Sequence, residues 1–424
     1  MLATFFNKLK LVVADKGLRN RILFIFAALV LFRMLANIPI PGIDALALEQ
    51  FFANNQFLGL LNIFSGGGLA NLSIVMLGVG PYITAAIIMQ LLTIMSPKLK
   101  ALYTEEGEVG RKKFNQYSRM LTVPLAFAQA FGFLTLLEQQ GILPDLVGFS
   151  FLTNVLIVAA GSILLMWIGE LITEFGIGNG VSLIIFAGIV ATLPSTVSQL
   201  LFTFDISQIP LYAGFFLVAL VIIAGVVFVT EAERPIPITY AKRVRGMKVY
   251  GGISTYLPLR VNQAGVIPII FALSLLLFPQ MVLNFFINST NTIVASVSSF
   301  LLDIISNGVV YAAIYFMLVF LFTYFYTAVT FDPNAISKNL QKSGAFVPGV
   351  RPGHTTAEYI GKILTRITLV GALFLGVIAV LPLGMQAITG ITALAIGGTA
   401  LLIAVSVVLD LVRRIDAQVS IREY

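Results

Sequence analysis

The chain has 424 residues, of which 58% are hydrophobic and only 11% charged, and its mean hydropathy is +0.98. A soluble domain is about a quarter charged, so this chain lacks the polar surface to stay in water, and the bilayer rather than a domain count divides its length. With no cysteine, disulfides, thiol nucleophiles and cysteine-ligated metal sites are excluded, and the single histidine, His354, argues against a histidine-based metal or acid–base centre.

A membrane-crossing helix takes about 20 predominantly apolar residues. Ten stretches qualify, at 22–40, 72–95, 121–137, 151–172, 181–201, 211–230, 264–287, 304–330, 363–382 and 388–409. They predict an all-α polytopic membrane protein. Lys8, Lys10, Lys16, Arg19 and Arg21 precede the first stretch. Arg33 interrupts that stretch and no small-x-small cleavage site follows, so it reads as an anchor that stays. Arg33 lies about two turns from the outer end and is expected to snorkel outward.

Pro39 and Pro41 in IPIPGID (38–44) stop the first helix. The following segment, 51–73, has short apolar runs broken by Gly66, Gly67 and Gly68. It is too short to span. It fits a re-entrant segment shielded by protein and, equally, an amphipathic loop on the outer interface. Gly78, Gly80, Pro81, Gly265, Pro268, Gly397 and Gly398 lie inside apolar stretches, where small residues allow close packing and Gly/Pro pairs mark bends.

Charge sets the orientation. Five Lys or Arg precede the first span, and the connections 96–120, 231–263 and 331–362 carry six, six and four. The connections 41–71, 138–150, 202–210, 288–303 and 383–387 carry none. Positive loops stay inside, which predicts cytoplasmic N- and C-termini. The segments 231–263 and 331–362 are far longer than turns need to be, and their clustered basic residues point to a docking surface for a large cytosolic partner. His354 falls in the second of them and reads as a solvated loop residue.

The chemistry of an enzyme or a coupled transporter is missing. No GxxxxGK[ST] loop, no HExxH motif and no triad can be built. Glu170 and Glu174 sit at the inner end of the fourth span, and polar residues inside the spans, such as Gln90, Gln129, Asn154, Ser162 and Ser274, are uncharged. A secondary transporter of a small solute, the alternative reading, normally needs ionisable groups at the midplane.

Seven stretches occur in order over nearly the whole chain: FRMLANIPIPGID (32–44), SGGGLANLSIVMLGVGPYITAAIIMQLL (65–92), EEGEVGRKKFNQYSR (105–119), GIGNGVSLIIFAGIVATLP (176–194), TYLPLRVNQAGVIPIIFA (255–272), LQKSGAFVPGVRPG (340–353) and GGTALLIAVSVVLD (397–410). Together they resemble the SecY family of bacterial protein-conducting channels. The resemblance implies ten transmembrane helices in two inverted five-helix halves, 1–201 and 202–424, around a central pore in the bacterial inner membrane. It implies a plug at about 57–73, including Asn62, Phe64, Ser65, Gly66, Gly67 and Gly68, and so favours the re-entrant reading. The implied pore ring is Val79, Ile83, Val181, Ile185, Ile270 and Ile403. The pairs Val79/Ile83 and Val181/Ile185 are spaced i,i+4 and so share a helix face, and an aliphatic constriction excludes ions by dewetting.

The resemblance further implies a lateral gate formed by the second, third, seventh and eighth spans, with Gln90, Gln129 and Ser274 on three of them. The docking site for a SecA motor or a ribosome would use Lys242, Arg243, Arg245, Lys248, Lys342 and Arg351. Expected partners are SecE- and SecG-like small membrane subunits, signal sequences, nascent membrane proteins and the lipid bilayer; no cofactor and no enzymatic activity are expected. Against the family pattern, this chain carries Pro235 and Pro237 in the 231–263 segment, Leu171 and Phe175 where a basic or polar residue is usual, and Asn71 where an arginine is common.

Overall fold

The structure, a computed structural model, describes residues 14–41, 65, 67–69, 71–104, 106–139, 143, 148–202, 209–241, 243–245, 248–250, 254–287, 291–389 and 392–422. Thirteen helices are traced below. In chain order they are α1 Lys16–Leu35, α2 Gly80–Met95, α3 Pro97–Thr104, α4 Gly107–Gln139, α5 Phe149–Phe175, α6 Gly180–Phe202 and α7 Ile209–Glu231. Then come α8 Ile267–Phe286, α9 Thr292–Ser306, α10 Gly308–Thr330, α11 Pro333–Lys342, α12 His354–Thr389 and α13 Thr392–Arg422.

Every predicted apolar stretch overlaps a helix, but several boundaries differ, and some of the differences have a visible local cause. The first helix begins earlier, capped by Asp15, whose carboxylate accepts from Gly17 N–H at 2.7 Å and Leu18 N–H at 3.2 Å. It also ends earlier, because 38–40 turns away to pair with 72–74: Ile40 N–H donates to Leu72 O and Ile74 N–H to Ile38 O, each at 2.9 Å. The predicted span 304–330 is cut at Asn307, whose side chain caps α10 by accepting from Val309 and Val310 N–H. The predicted 288–303 loop holds most of α9 instead, with Asn291 as its cap.

The expectation of an all-α chain is corrected by the 231–263 segment. It forms strands β1 Glu233–Tyr240, β2 Arg243–Arg245, β3 Lys248–Tyr250 and β4 Ser254–Arg260. With β5, Ala345–Phe346, they make a three-stranded antiparallel sheet in the order β4-β1-β5 and a separate β2–β3 hairpin. Alternation explains it: Ile236 and Ile238 are buried while Pro235 and Pro237 face solvent. Ile236 and Leu259 pack with Val347, Ile360 and Ile367 in a small core that fixes the sheet to α12. His354 is exposed, as expected, but it starts α12 rather than lying in a loop, and its Nδ1 stands 3.5 Å from the Glu358 carboxylate.

Helix packing repeats along the chain. In the first part α2 packs on α4, α4 on α5, α5 on α6 and α6 on α1. In the second part α8 packs on α10, α10 on α12, α12 on α13 and α13 on α7. The two sets meet twice, through α8 against α2 and α4, and through α6 against α13. A sequence repeat underlies one corresponding pair. Gly78-Val79-Gly80-Pro81-Tyr82-Ile83 and Gly265-Val266-Ile267-Pro268-Ile269-Ile270 share G-V-x-P-x-I. In both, the glycine has a positive φ (57° and 61°), the valine caps the helix and the proline sits in its first two positions.

Among the described residues, α4, α5, α10 and α12 are long and apolar enough to cross a membrane, and the α2–α3 pair, bent by 113°, qualifies as a fifth if taken as one span. Side chains that water would not tolerate cover the outside. Helix α7 alone exposes Phe216, Leu217, Leu220, Val221 and Phe228. A contiguous apolar surface of this kind belongs in contact with lipid.

Candidate functional site

The main core gathers residues from α1, α2, α5, α6, α7, α8, α10, α12 and α13. All six ring positions belong to it. Val79, Ile83, Ile185, Ile270 and Ile403 are buried together, each 5% exposed or less. Val181 is only half-buried and packs at the edge of the cluster. A Cβ placed on Gly169 would come within 3.1 Å of Val181 Cγ2 and 3.3 Å of Ile184 Cδ1, so Val181 leans on α5 together with Ile184. Val181 is thus less buried than Ile185, a difference that spacing along α6 does not reveal. Val266, which caps α8 as Val79 caps α2, is a buried member of the cluster that sequence reasoning missed. The G-V-x-P-x-I repeat is the signal that could have found it.

A polar cavity of about 260 Å³ adjoins this cluster. Leu183, Val266 and Val407 of the cluster line it, and Asn179, Ser182, Asn262, Gln263 and Ser406 supply polar groups. Asn262 Oδ1 and Gln263 Nε2 are buried there without a hydrogen-bond partner among the described residues. Ion pairs surround the mouth: Arg413 with Glu231 at 2.6 Å, Arg414 with Asp410 at 2.8 Å and Arg260 with Glu233 at 3.1 Å. These pairs are largely exposed, so they shape the rim more than they stabilise it.

The glycine-rich turn also abuts the cluster. Asn62, Phe64 and Gly66 lie outside the described residues; Ser65, Gly67 and Gly68 lie within them. Ser65 Oγ accepts from Leu69 N–H at 2.9 Å, and Ser73 N–H donates to Gly68 O at 2.8 Å, closing a compact turn. Leu69, Leu72, Met76 and Leu77 bury their side chains against Phe133 and Leu134 of α4 and Val158 of α5. Ser162 Oγ of α5 donates to Gly78 O at 2.7 Å and so anchors the start of α2.

Arg33 reaches the glycine-rich turn: a Cβ on Gly67 would lie 3.1 Å from Arg33 Nη1 and 3.6 Å from Thr192 Cγ2. Asn71, where the family pattern favours arginine, donates from Nδ2 to Asn37 Oδ1 at 3.3 Å and to Ala36 O at 3.5 Å.

The three candidate gate residues are not brought together as a single cluster. Helix α8 packs on both α2 and α4, which places a seam there. Gln129 Nε2 donates to Thr84 Oγ1 at 3.5 Å, a long bond across α2 and α4. Thr84, at the α2–α4 contact, is a residue that sequence reasoning did not single out. Ser274 is buried, and the Gln90 amide oxygen is buried without a partner among the described residues. At the basic end of the same helices, Arg119 of α4 pairs with Glu170 of α5. Phe175, one of the departures from the family pattern, stands edge-on to Phe24 of α1 at a centroid distance of 6.0 Å.

The basic docking candidates fall on two supports. Arg243, Arg245 and Lys248 lie on the β2–β3 hairpin, and Lys242 lies outside the described residues. Lys342 ends α11. Arg351 is exposed on a turn held at both sides, where Thr356 Oγ1 donates to Arg351 O at 2.9 Å and Ser337 Oγ to Gly353 O at 2.6 Å.

Comparison with known proteins fits this geometry. The SecY family model matches residues 73–412. The protein translocase subunit SecY of Mycobacterium leprae is 43% identical over 446 aligned positions, covering 100% of this chain and 99% of that protein. The subunit of the same name from Thermotoga maritima is also 43% identical, covering 96% and 94%. A solved structure described as a protein conducting channel superposes with a TM-score of 0.64 at 18% identity, covering 93% of this chain and 91% of that one. Sec61 in a canine ribosome–channel complex gives a TM-score of 0.60 at 17% identity, with the same coverage. The helical packing described above is thus the SecY/Sec61 channel fold, and the chain belongs to the SecY family.

Proposed function

We propose that this chain is a passive protein-conducting channel, which passes unfolded polypeptide across the membrane and releases apolar segments sideways into lipid. The observation that carries the reading is the order of three features. A charge-rimmed cavity is lined by Leu183, Val266 and Val407 of a tight aliphatic cluster, and a glycine-rich turn stands beside Val75 of the same cluster. An aliphatic constriction stays dry when closed, yet it makes no fixed hydrogen bonds and so accepts any side chain. The cavity then receives the client, Val79, Ile83, Val181, Ile185, Ile270 and Ile403 form the ring, and the 57–73 segment is the plug. The small-solute transporter reading has no support among the relatives, which are named as protein translocase subunits.

In the same reading all ten apolar stretches cross the bilayer, with both termini and the basic loops cytoplasmic and the inner membrane as the location. The repeated packing supports a division into halves at 1–201 and 202–424, with α2 and α8 starting at the ring and running in opposite directions. Work comes from outside the chain, through a SecA motor or a ribosome seated on the β2–β3 hairpin, Lys342 and Arg351. SecE- and SecG-like subunits complete the assembly.

A direct test uses the absence of native cysteine. A single cysteine at Ile83 or Ile270 is expected to form a disulfide with a cysteine in a precursor stalled during export. Lipid-facing controls at Leu217 or Val221 are expected to stay unlinked. No cross-link in vesicles that still export the unstalled precursor through this protein would mean that the ring is misassigned.

The seam between α8 and α2/α4 is the proposed lateral gate. Polar contacts between membrane helices contribute only about 1 kcal/mol each, which suits a seam that must open for an apolar signal segment of about 20 residues. Gln90→Leu and Ser274→Leu are expected to change the export of precursors with defective signal sequences several-fold. Unaltered export of those precursors would remove these residues from the gate.

A further inference from the structure

Pro235 and Pro237 occupy particular places in the β4-β1-β5 sheet. Val261 N–H donates to Ala232 O at 2.9 Å, so residue 232 directs its peptide groups toward β4. Along an antiparallel strand alternate residues do the same, so 234, 236 and 238 face β4 while 233, 235, 237 and 239 face away. The opposite edge agrees: Ala241 N–H donates to Gly344 O at 2.9 Å, toward β5. The register of β5 reaches only Thr239 and Tyr240. Three β1 positions, 233, 235 and 237, therefore present outward-facing peptide groups beyond the end of β5, and two of the three are proline, with no N–H to offer.

The third proline follows the same rule. Pro258 of β4 stands opposite Pro235 in the register, so it too directs its ring nitrogen away from the ladder. Pro235, Pro237 and Pro258 are all exposed. None of them removes a β1–β4 hydrogen bond, and none fills the core. Neither packing nor the β1–β4 ladder accounts for these prolines; Pro235 and Pro237 lie on the β1 edge beyond β5, and Pro258 on the opposite, outer edge of β4.

The location of this edge gives it a consequence. The foot of the hairpin is at the cavity mouth, where Arg260 lines the cavity and pairs with Glu233 across the strands. A client passing there is an extended chain with its own peptide groups unpaired, and a free strand edge is a ready template for such a chain. We propose that Pro235 and Pro237 keep the β1 edge from capturing the extended client, so that the chain enters the pore without being held as an added strand. The proposal rests on the channel reading above.

The test restores the missing donors. Pro235→Val/Pro237→Val supplies two N–H groups on an exposed edge, and Pro235→Ala/Pro237→Ala supplies them without a strongly strand-forming side chain. Each is combined with Glu233→Cys, which lies on the same outward edge and exposed face of β1 as positions 235 and 237. Two stalled precursors are compared, one containing a valine-rich segment and one with that segment interrupted by alternate prolines. The valine variant is expected to raise cross-linking of the first precursor at least three-fold and to slow its export, with the alanine variant intermediate. The proline-interrupted precursor is expected to behave as with the parent chain. Equal yields and rates for both precursors would overturn the proposal, and so would equal slowing of both, which would give the prolines a role in rigidity or partner docking. The cysteine at Ile83 is run in parallel: its cross-link persisting while the edge effect is absent sinks only the proposal, whereas its loss in the parent chain sinks the channel reading and the proposal with it.

Discussion

A Gly161→Ala protein is expected to be markedly less stable than the parent. An alanine Cβ at this position would lie 2.0 Å from Ile74 O and 2.8 Å from Ile74 C, where only backbone stands in the way. Overpacking by one methylene in a compliant core costs about 1–3 kcal/mol, and here no flexible side chain can move aside. The turn leading into α2 must shift instead, which breaks the bond from Ser162 Oγ to Gly78 O and leaves that carbonyl buried and unpaired. Val79 caps the next helix and moves with it, so the aliphatic cluster is disturbed at the same time. A loss of about 3 kcal/mol corresponds to a fall of roughly 3 °C or more in the thermal midpoint for a chain of this size. Thermal unfolding in detergent checks this, with Gly214→Ala as the control. Gly214 has nothing within 4 Å of its missing Cβ, and alanine there is expected to be neutral or mildly stabilising. A Gly161→Ala protein with the parent's midpoint would mean that α5 and the 74–79 turn are not packed this closely.

This contact illustrates what could and could not be seen along the chain. The apolar stretches were legible because a bilayer demands about 20 consecutive apolar residues whatever the neighbours are, and each stretch does overlap a helix. Their ends were less legible. Pro39 stops the first helix in the sequence, yet only the pairing of 38–40 with 72–74 explains why the helix has already ended at Leu35. The break at Asn307 was readable in principle, since an asparagine before a glycine and an apolar run is a cap signal, but uniform hydrophobicity on both sides concealed it. The hairpin in 231–263 was likewise encoded in the alternation of Ile236 and Ile238 with exposed prolines. Reading that segment only for its charge hid the period of two. The proposed ring rests on resemblance alone, because an isolated isoleucine at 83 or 270 looks like any core or lipid-facing residue. What no single-chain reading supplies is proximity across the fold, such as Gly161 against Ile74, Val181 against Gly169 and Arg33 against Gly67.

The last of these contacts bears on closure. Gly67 has φ +82°, a conformation that costs a residue with a side chain about 1–3 kcal/mol. Its missing Cβ would also stand 3.1 Å from Arg33 Nη1, so a larger residue both strains the turn and pushes on the guanidinium. If this turn is part of the seal, as proposed, Gly67→Val raises the free energy of the closed state by an amount of that order. Each 1.4 kcal/mol is a factor of ten in an equilibrium, so the idle channel is expected to conduct ions roughly five to a hundred times more often than the parent in a planar bilayer. The two contributions separate by a second substitution. Arg33→Leu removes the guanidinium that the new side chain would strike but leaves the backbone strain, so Gly67→Val/Arg33→Leu shows whether the steric push or the strain dominates. A larger leak in the double variant than in Gly67→Val would mean that Arg33 itself helps to hold the turn, and a smaller one that it only limits the space beside it. Gly67→Val with the parent's conductance would show that the 65–69 turn does not seal the pore, whatever the ring above or below it does.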